Sequence, residues 1–456
     1  MMKLDCFKTY DVRGRVDDML DQDVAYRMGR ALVYVMNATK VVVGRDARES
    51  SPLFLTALSD GLRDAGADVL DVGLCGTEEV YFATDHFDAS AGVMVTASHN
   101  PIEYNGFKIV GPGAAPLSAE AFSEIGRRTA SGDFGTKVPS PGSHENVFPR
   151  RAYVERVCGF VDAKAIGPVH LVANAGNGAA GPTFDAVIEE LVARGADIRV
   201  TRLHHQPDAS FPNGIPNPLL PENQPVTSQA VFNANADLGV AWDGDFDRCF
   251  FFDEKGAFIA GEFVVGLLAE AILERAPGAR IVYDPRVVWN TERIVREKGG
   301  EAIKSKTGHV LVKETMRASD AIYGGEMSAH HYFRDFMFCD SGMIPWLLML
   351  ERLSQSGQTL SSLVADMRDR HPSSGEINFR VASADAVTER LRESYGPAAI
   401  RIDGLDGLSM EFADWRFNVR ASNTEPLLRL NVESLGNQAL LKRRISEVAK
   451  AISNAA

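Results

Sequence analysis

Three carboxylates alternate along one short segment, Asp243-Gly-Asp245-Phe-Asp247-Arg248, directly after an apolar run. Alternate residues of an extended segment project to one side, so the three carboxylates can converge on one hard cation. An EF-hand is one competing interpretation, but Arg248 stands where that loop requires Gly, and residues 249–252 predict a strand. A solvated acidic turn is the other alternative. The adjacent arginine favours a site where a metal and a phosphate meet.

A serine follows another predicted strand, in the motif TASHNP at residues 96–101. The end of a strand is where α/β domains place ligands, and a serine near a divalent cation can carry a phosphoryl group. A turn without chemistry is the alternative, whereas a hydrolase nucleophile is disfavoured because the GxSxG elbow is absent. Lys108, which closes the segment YNGFK, is either a surface charge or an electrostatic or acid/base partner of a phosphoserine at Ser98.

The segment GNGAAG at residues 176–181 matches the GxGxxG pattern of dinucleotide-binding oxidoreductases. That fingerprint expects an acidic residue at the end of the next strand, whereas Asp197 lies at the beginning of the predicted one. We therefore prefer a tight structural turn over a nucleotide site.

Two further loops carry polar groups suited to recognition. GGEMSAHH at residues 324–331 places a carboxylate, a hydroxyl and imidazoles after a predicted strand at residues 321–323. RASNTEP at residues 420–426, with Arg429 beyond it, offers guanidinium groups, hydroxyls and turn amides that suit a phosphate. For each loop, a satisfied polar turn at a domain contact is the alternative.

The elements that must position these loops follow an alternating pattern. Apolar runs rich in β-branched residues alternate with helix-length amphipathic segments, which predicts α/β domains. The chain of 456 residues exceeds what one hydrophobic core usually supports. A loop rich in Gly, Pro and Ser indicates the first boundary. We predict four domains: α/β domains at residues 1–150, 151–255 and 256–370, which carry the serine, aspartate and GEMS loops, and an α+β domain at residues 371–456, which carries the RASNTEP loop.

Composition excludes several classes of protein. Apolar residues make up 45% and charged residues 24%, as in ordinary globular proteins, and the formal net charge is -13, which opposes binding to nucleic acid or anionic membranes. The apolar stretch at residues 343–350 is too short to span a bilayer, and charged residues interrupt the N-terminus where a secretory signal would be apolar. The five scattered cysteines indicate neither disulfides nor zinc. We expect a cytoplasmic protein.

TASHNP, DGDFDR, GEMSAH and RASNTEP occur in this order and resemble the motifs of the α-D-phosphohexomutases, within them most of all the bacterial phosphomannomutase group. The resemblance covers nearly the whole chain. It implies a heart-shaped, four-domain protein, with three related α/β mixed-sheet domains, a C-terminal α+β domain and the four motif loops facing one central cleft. It also implies the interconversion of mannose 6-phosphate and mannose 1-phosphate for GDP-mannose synthesis, through phosphoserine and a hexose 1,6-bisphosphate that is both intermediate and activator. Sugar phosphates are then the partners, and a monomer and a dimer remain equally open.

The same resemblance implies a role for each motif residue. Ser98 is the expected phosphoserine, held with its phosphate against Mg2+ by the three aspartates Asp243, Asp245 and Asp247. The other expected residues are Glu326 and Ser328 for the 3- and 4-hydroxyls of the sugar; Arg420, Ser422, Asn423, Thr424 and Arg429 for the phosphate that is not reacting; Tyr10, Arg13, Arg286 and His309 for positioning; and Lys108, His330 and Arg248 for catalysis, with Lys108 and His330 as acid/base candidates.

Met327 bears on the choice of sugar. Family members that act on glucosamine phosphate tend to have Gln at this position and glucose-specific members Glu, so GEMS resembles the mannose or dual-specificity group. A dual phosphomannomutase/phosphoglucomutase is therefore the alternative, ahead of a phosphoglucosamine mutase. A sugar-phosphate sensor without catalysis would require damage to a chemical motif, and all four motifs are intact.

Overall fold

A computed structural model describes residues 5–135, 140–286, 288–421 and 427–455. The chain divides into two compact units, Met1–Phe258 with His330–Gly357, and Ile259–Ala329 with Gln358–Ala456. Residues 330–357, which we predicted within the third domain, thus belong to the first unit. Within the described residues, no helix has both the length and the apolar character required to cross a membrane.

The first unit begins with a six-stranded mixed sheet in the order β1-β5-β4-β2-β3-β6. Its elements are β1 (Val12–Arg15), α1 (Gln22–Met36), β2 (Lys40–Arg45), α2 (Ser51–Asp64), β3 (Asp68–Leu74), α3 (Thr77–His86), β4 (Ala91–Val95), β5 (Tyr104–Val110), α4 (Ala119–Ser131) and β6 (His144–Asn146). Residues 41–43 of β2 are fully buried, as expected for a central strand covered on both faces. β2 and β4 are parallel with Arg45 opposite Val95, so the loops that follow them start side by side.

A second mixed sheet of the first unit has the order β11-β10-β9-β7-β8. Its elements are α5 (Arg150–Cys158), β7 (Val169–Asn174), α6 (Ala180–Ala193), β8 (Ile198–Leu203), α7 (Pro225–Ala234), β9 (Leu238–Trp242), β10 (Cys249–Asp253) and β11 (Phe258–Ile259). β9 and β10 form an antiparallel hairpin in which Trp242 pairs with Cys249. The strand predicted after the aspartates is confirmed, and the DGDFDR segment is the loop of this hairpin.

The second unit opens with three parallel strands, with β12 between β13 and β14. Its elements here are α8 (Gly261–Arg275), β12 (Arg280–Tyr283), α9 (Trp289–Glu297), β13 (Glu301–Lys304), α10 (His309–Ser319) and β14 (Tyr323–Gly325). The predicted strand at residues 321–323 was placed two residues too early. A Cβ atom on Gly324 of β14 would lie 2.6 Å from the Met316 sulfur of α10, so glycine at this position leaves room for the Met316 side chain against the strand.

The chain then returns to the first unit with β15 (His331–Phe333), β16 (Cys339–Asp340) and α11 (Ile344–Ser356). β15 and β16 pair antiparallel. Trp346 of α11 packs on Phe184 of α6 with ring centroids 5.3 Å apart. The apolar stretch noted in the sequence is therefore a buried core helix.

The rest of the second unit is an antiparallel sheet in the order β17-β21-β20-β19-β18. Its elements are α12 (Leu360–Arg370), β17 (Ile377–Arg380), α13 (Ala384–Tyr395), β18 (Arg401–Asp403), β19 (Leu408–Glu411), β20 (Trp415–Ala421), β21 (Leu427–Ser434) and α14 (Gln438–Ala455). Val419, Leu430 and Val448 are fully buried between sheet and helices. The predicted α+β pattern is confirmed.

Candidate active site

The DGDFDR loop gathers three carboxylates. Asp243, Asp245 and Asp247 are buried, and one oxygen of each lies within 4.8 Å of the other two. One oxygen each of Asp245 and Asp247 is buried without a hydrogen-bond partner in the part of the chain that the structure describes. Buried polar atoms are normally paired, and three carboxylate oxygens are the ligands that a hard divalent cation prefers. The cluster therefore fits a divalent cation.

The loop keeps this shape because the start of α3 holds it. The Thr77 hydroxyl donates to Asp245 Oδ2 at 2.6 Å, and the Thr77 amide donates to the Asp245 carbonyl at 3.0 Å. Phe246, with φ of 42°, turns the chain and packs on Gly76, where a Cβ atom would lie 2.2 Å from the ring. The first sheet thus positions a loop of the second sheet.

Lys108 compensates part of the negative charge. Its ammonium group donates to Asp245 Oδ2 at 2.7 Å and also to Asp247 Oδ2. Burial lowers the pKa of Lys108, but the neighbouring carboxylates outweigh burial and raise it above its ordinary value. Burial and the charge of Asp245 raise the pKa of Asp247 to about 7. The positive charge around Asp247 therefore does not fully compensate the burial of this carboxylate and its repulsion by Asp245, even with Lys108 in place.

Ser98 lies against this cluster. Its hydroxyl donates to Asp243 Oδ2 at 2.7 Å, and the residue is 3% exposed with φ of 49°. The Arg248 guanidinium donates to Asp243 Oδ2 at 2.5 Å and lies 3.3 Å from Ser98 Oγ. A hydroxyl, a cluster of carboxylates that fits a divalent cation, and a guanidinium thus converge, which is an arrangement suited to phosphoryl transfer through a serine.

Two other predicted residues join this cluster. His330 Nδ1 lies 3.0 Å from Asp340 Oδ2, and groups of His330, Asp340 and Asp247 lie within 4.8 Å of one another. Burial lowers the pKa of His330, but Asp247 and Asp340 raise it above its ordinary value. Arg13 donates to the Asn100 side chain at 2.5 Å, next to the serine loop. Sequence reasoning missed Asp340, because its only local signal is its place at the end of the two-residue strand β16.

Arg48 holds the serine loop through hydrogen bonds, and the sequence analysis did not identify this residue. This arginine is 1% exposed and donates to four main-chain carbonyls of the loop, those of Ser98 at 2.9 Å, Asn100 at 2.6 Å, Pro101 at 2.8 Å and Tyr104 at 3.1 Å. Asp46 orients the turn that carries Arg48. The Asp46 carboxylate accepts hydrogen bonds from the Arg48 amide at 3.0 Å and from the Thr96 hydroxyl at 2.8 Å. The available signal was a charged GRDAR segment directly after an apolar strand.

The GxGxxG segment packs on the aspartate loop. The Ala179 amide donates to the Gly244 carbonyl at 3.1 Å, and a Cβ atom on Gly178 would lie 2.7 Å from that carbonyl oxygen. A Cβ atom on Gly176 would lie 2.3 Å from Pro216. Since the turn contacts protein at these positions, the geometry agrees with a structural turn.

The second unit holds a separate group of predicted residues. Arg286 donates to Asp284 Oδ2 at 2.6 Å and lies 3.7 Å from Glu326 Oε1. Glu326 also accepts from the Gly308 amide at 2.9 Å, at the start of α10. Asp284 accepts in addition from the main-chain amide of the GEMS methionine at 3.0 Å, so it links this loop to Arg286.

The predicted residues thus fall into three sets. The first unit carries Ser98, Lys108, Asp243, Asp245, Asp247, Arg248, His330, Arg13 and the half-buried Tyr10. The second unit carries Arg286, Glu326, His309 as the first residue of α10, the half-buried Ser328, and Arg420 and Arg429 on neighbouring strands. Ser422, Asn423 and Thr424 lie outside the described residues.

Profiles of one protein family match the chain in four consecutive parts. They are described as phosphoglucomutase/phosphomannomutase alpha/beta/alpha domain I at residues 5–136, domain II at 151–256 and domain III at 260–371, and the C-terminal domain at 376–451. Fold and site thus define a phosphohexomutase, an enzyme of the phosphotransferring isomerase class. The chain belongs to the phosphoglucomutase/phosphomannomutase family.

Full-length relatives refine this assignment. The phosphomannomutase of Salmonella montevideo is 50% identical over 456 residues, which cover 100% of both chains. A Xanthomonas campestris protein described as phosphohexose mutases is 50% identical over 448 residues, 98% of this chain and 99% of that one. The crystal structure of a phosphoglucomutase/phosphomannomutase family protein from Burkholderia thailandensis superposes with a TM-score of 0.89 at 34% identity and covers 100% of this chain and 98% of that one.

The role of Arg48 is testable through stability. Arg48→Ala removes the donor to four carbonyls. It also leaves the buried Asp46 carboxylate without its ion pair, in which Arg48 Nε lies 3.4 Å from Asp46 Oδ2, so we expect a loss of about 3–5 kcal/mol in the free energy of unfolding. Arg45→Ala is the matched control, because the described bond of Arg45 goes to one carbonyl at 3.2 Å, and it should cost less than about 1 kcal/mol. Denaturant unfolding followed by circular dichroism measures both. Equal losses would contradict the assignment.

Proposed function

We propose that this enzyme interconverts mannose 6-phosphate and mannose 1-phosphate, with Ser98 as the carrier of the phosphoryl group. The observation that supports this proposal most is the Ser98 hydroxyl bonded at 2.7 Å to a carboxylate of the buried aspartate cluster. A neutral serine needs no such surroundings, whereas a phosphoserine adds negative charge that a cation and Arg248 can balance. The full-length relative named phosphomannomutase supports the choice of sugar.

The reaction consists of two phosphoryl transfers. In the first, a free sugar hydroxyl bonds to phosphorus while the bond between phosphorus and Ser98 Oγ breaks. The sugar hydroxyl loses its proton, Ser98 Oγ takes up a proton, and a hexose 1,6-bisphosphate results. This intermediate turns, and its other phosphate returns to Ser98. We assign the proton of the attacking hydroxyl to His330, which Asp340 orients at 3.0 Å. Arg248 spreads the negative charge of the transferring group.

Mg2+ is the cation we propose for the aspartate cluster. Asp243, Asp245 and Asp247 would hold it through three hard oxygen ligands, beside the phosphorylated Ser98. Bound there, Mg2+ supplies charge neutralisation for the transferring phosphoryl group. Lys108, whose pKa the carboxylates raise, stays cationic beside them and serves as an electrostatic partner rather than a proton acceptor.

The second unit supplies the proposed recognition of the sugar phosphate. We propose that Glu326 and Ser328 bind the 3- and 4-hydroxyls and that Arg286 positions the substrate beside them. The phosphate that is not reacting goes to Arg420, Ser422, Asn423, Thr424 and Arg429, and Tyr10, Arg13 and His309 complete the positioning set. The sugar phosphate must use these contacts in both of its orientations. We therefore expect the contacts to accept hexoses that differ in the position of a hydroxyl group.

This tolerance makes dual specificity for mannose and glucose phosphates the second candidate function. The relative described as phosphohexose mutases is as similar as the phosphomannomutases are. Met327 is 9% exposed and its sulfur lies 3.4 Å from the Asn431 amide, so this side chain packs inward. A cytoplasmic location, a supply of GDP-mannose and an activating hexose 1,6-bisphosphate remain predictions from the sequence.

A coupled assay tests the function and its specificity. With Mg2+ and a trace of hexose 1,6-bisphosphate, the enzyme should turn over mannose 1-phosphate, alone or with glucose 1-phosphate, and leave glucosamine 1-phosphate nearly untouched. Ser98→Ala should lower kcat at least about a thousandfold because the covalent carrier is lost, whereas Ser131→Ala, at the exposed end of α4, should match the parent. Full activity of Ser98→Ala, or no turnover of any of the three esters, would contradict the proposal.

Cation binding is measurable without turnover. Mg2+ at a hundredfold excess over its Kd should stabilise the parent by about 2.7 kcal/mol, and thermal unfolding at rising Mg2+ concentration reports it as an increase in Tm. Asp247→Asn should remove most of this increase while remaining at least as stable as the parent without Mg2+, because one of three repelling charges is gone. Asp18→Asn, at an exposed position, should keep the full increase. Equal increases in both variants would overturn the assignment of the cation site.

A further inference from the structure

Glu376 lies among three arginines of the second unit. Its Oε2 atom is 3.4 Å from Arg286 Nη1 and 3.6 Å from Arg420 Nη2, and its Oε1 atom is 3.4 Å from Arg429 Nη1. The Glu376 side chain is 22% exposed, so water only partly screens these charges. One carboxylate thus faces three guanidinium groups, and no role has so far been given to it.

The arginines are arranged in a way that requires an anion. Arg420 on β20 and Arg429 on β21 are direct cross-strand partners, and like charges in this position destabilise a sheet. Burial lowers the pKa of Arg420, and the nearby Arg286 lowers it further, while Glu376 opposes both effects. The Arg420 Nε atom is buried without a hydrogen-bond partner among the described residues. Asp284 and Glu326 pair with Arg286, so Glu376 is the carboxylate that faces the cross-strand pair of Arg420 and Arg429.

The contacts of Glu376 are longer than those of a structural ion pair. Charged hydrogen bonds between guanidinium and carboxylate groups usually measure about 2.7–2.9 Å. In the same sheet Arg416 forms such a bond with Glu433, and Arg286 has its own at 2.6 Å to Asp284. Glu376 therefore shares its charge loosely among three cations, which leaves its side chain easy to displace.

The main chain around Glu376 is held firmly. The preceding Gly375 accepts from the Asn431 side chain at 2.9 Å, and the following Ile377 pairs with Leu430 in the sheet. Displacement would therefore need only a rotation of the Glu376 side chain, which is a low-cost motion on a fast timescale.

We propose that the Glu376 carboxylate neutralises Arg286, Arg420 and Arg429 while the site is empty and competes there with the non-reacting phosphate of the sugar. This inference rests on the proposed function, which assigns that phosphate to these arginines. A competing carboxylate weakens phosphate binding, and weaker binding lets the bisphosphate intermediate leave its first position and turn. Glu376 is thus an internal anion that lowers the affinity of the three arginines for phosphate.

Inorganic phosphate is the probe that tests the inference without any turnover. Glu376→Gln keeps the shape and removes the charge, so calorimetry should show phosphate bound about three- to tenfold more tightly than by the parent. The KM for mannose 1-phosphate should fall in parallel, with kcat unchanged or lower. Glu376→Asp shortens the side chain by one methylene and so moves the charge away from the arginines. This variant should show a smaller gain in phosphate affinity, and it replaces Glu376→Gln in the test if that variant does not fold.

Asp403→Asn is the matched control. The Asp403 side chain is also 22% exposed and pairs with Lys304 at 3.1 Å in the same unit, so loss of its charge should leave phosphate affinity unchanged. Adding Arg420→Ala to Glu376→Gln should abolish the gain, which locates the phosphate at the arginines.

Three outcomes separate this inference from the proposed function. Unchanged phosphate affinity in Glu376→Gln, or a gain that survives Arg420→Ala, overturns the inference. Weaker phosphate binding also overturns it, because the carboxylate would then orient the arginines for phosphate instead of competing with it. A gain in phosphate affinity in a protein that lacks mutase activity overturns the proposed function and leaves the competition between carboxylate and phosphate supported.

Discussion

Repulsion among three buried carboxylates is the constraint on which the first compact unit depends. Asp243, Asp245 and Asp247 place oxygens within 4.8 Å of one another in a region with little water, and burying charges of one sign is costly unless cations balance them. Lys108 and Arg248 supply part of that balance, while the pKa of Asp247 remains raised to about 7. The divalent cation that we propose for this cluster would balance the remaining charge.

The surrounding structure keeps the aspartate loop in place and brings the serine to it. The start of α3 and the GxGxxG turn hold the aspartate loop from two sides, through Thr77 and Ala179. Arg48 holds the serine loop through its carbonyls, and the Ser98 hydroxyl therefore meets Asp243. In the second unit the like charges are positive instead, and Glu376 lies among Arg286, Arg420 and Arg429. Each unit thus brings like charges together, and each is where we propose that a ligand of opposite charge binds.

Local sequence patterns predicted the elements but not their long-range partners. The hairpin around the aspartates and the α+β pattern after residue 371 follow from periodicity and turn residues, and four ordered motifs carried the family. Arg48 was missed because its contacts with residues 98–104 depend on β2 lying beside β4, which no local pattern specifies. Glu376 was missed because an acid after Ser-Ser-Gly has the local signature of a solvated turn. The four predicted domain boundaries remain a prediction. The two compact units do not follow them, because residues 330–357 of the predicted third domain pack with the first unit.

Phosphorylation of Ser98 is the most direct test of the account. The purified enzyme is incubated with Mg2+ and glucose 1,6-bisphosphate that carries 18O-labelled phosphoryl groups, and is then cleared of sugar phosphates. Peptide mass spectrometry is performed before and after addition of excess unlabelled mannose 6-phosphate. We predict a labelled phosphoryl group on Ser98 before the addition and an unlabelled one afterwards, because the first transfer gives the label to the sugar and the other phosphate of the bisphosphate returns to the serine. A phosphoryl group on another residue, or a label on Ser98 that mannose 6-phosphate does not exchange, would contradict the central role of the serine and its carboxylate cluster.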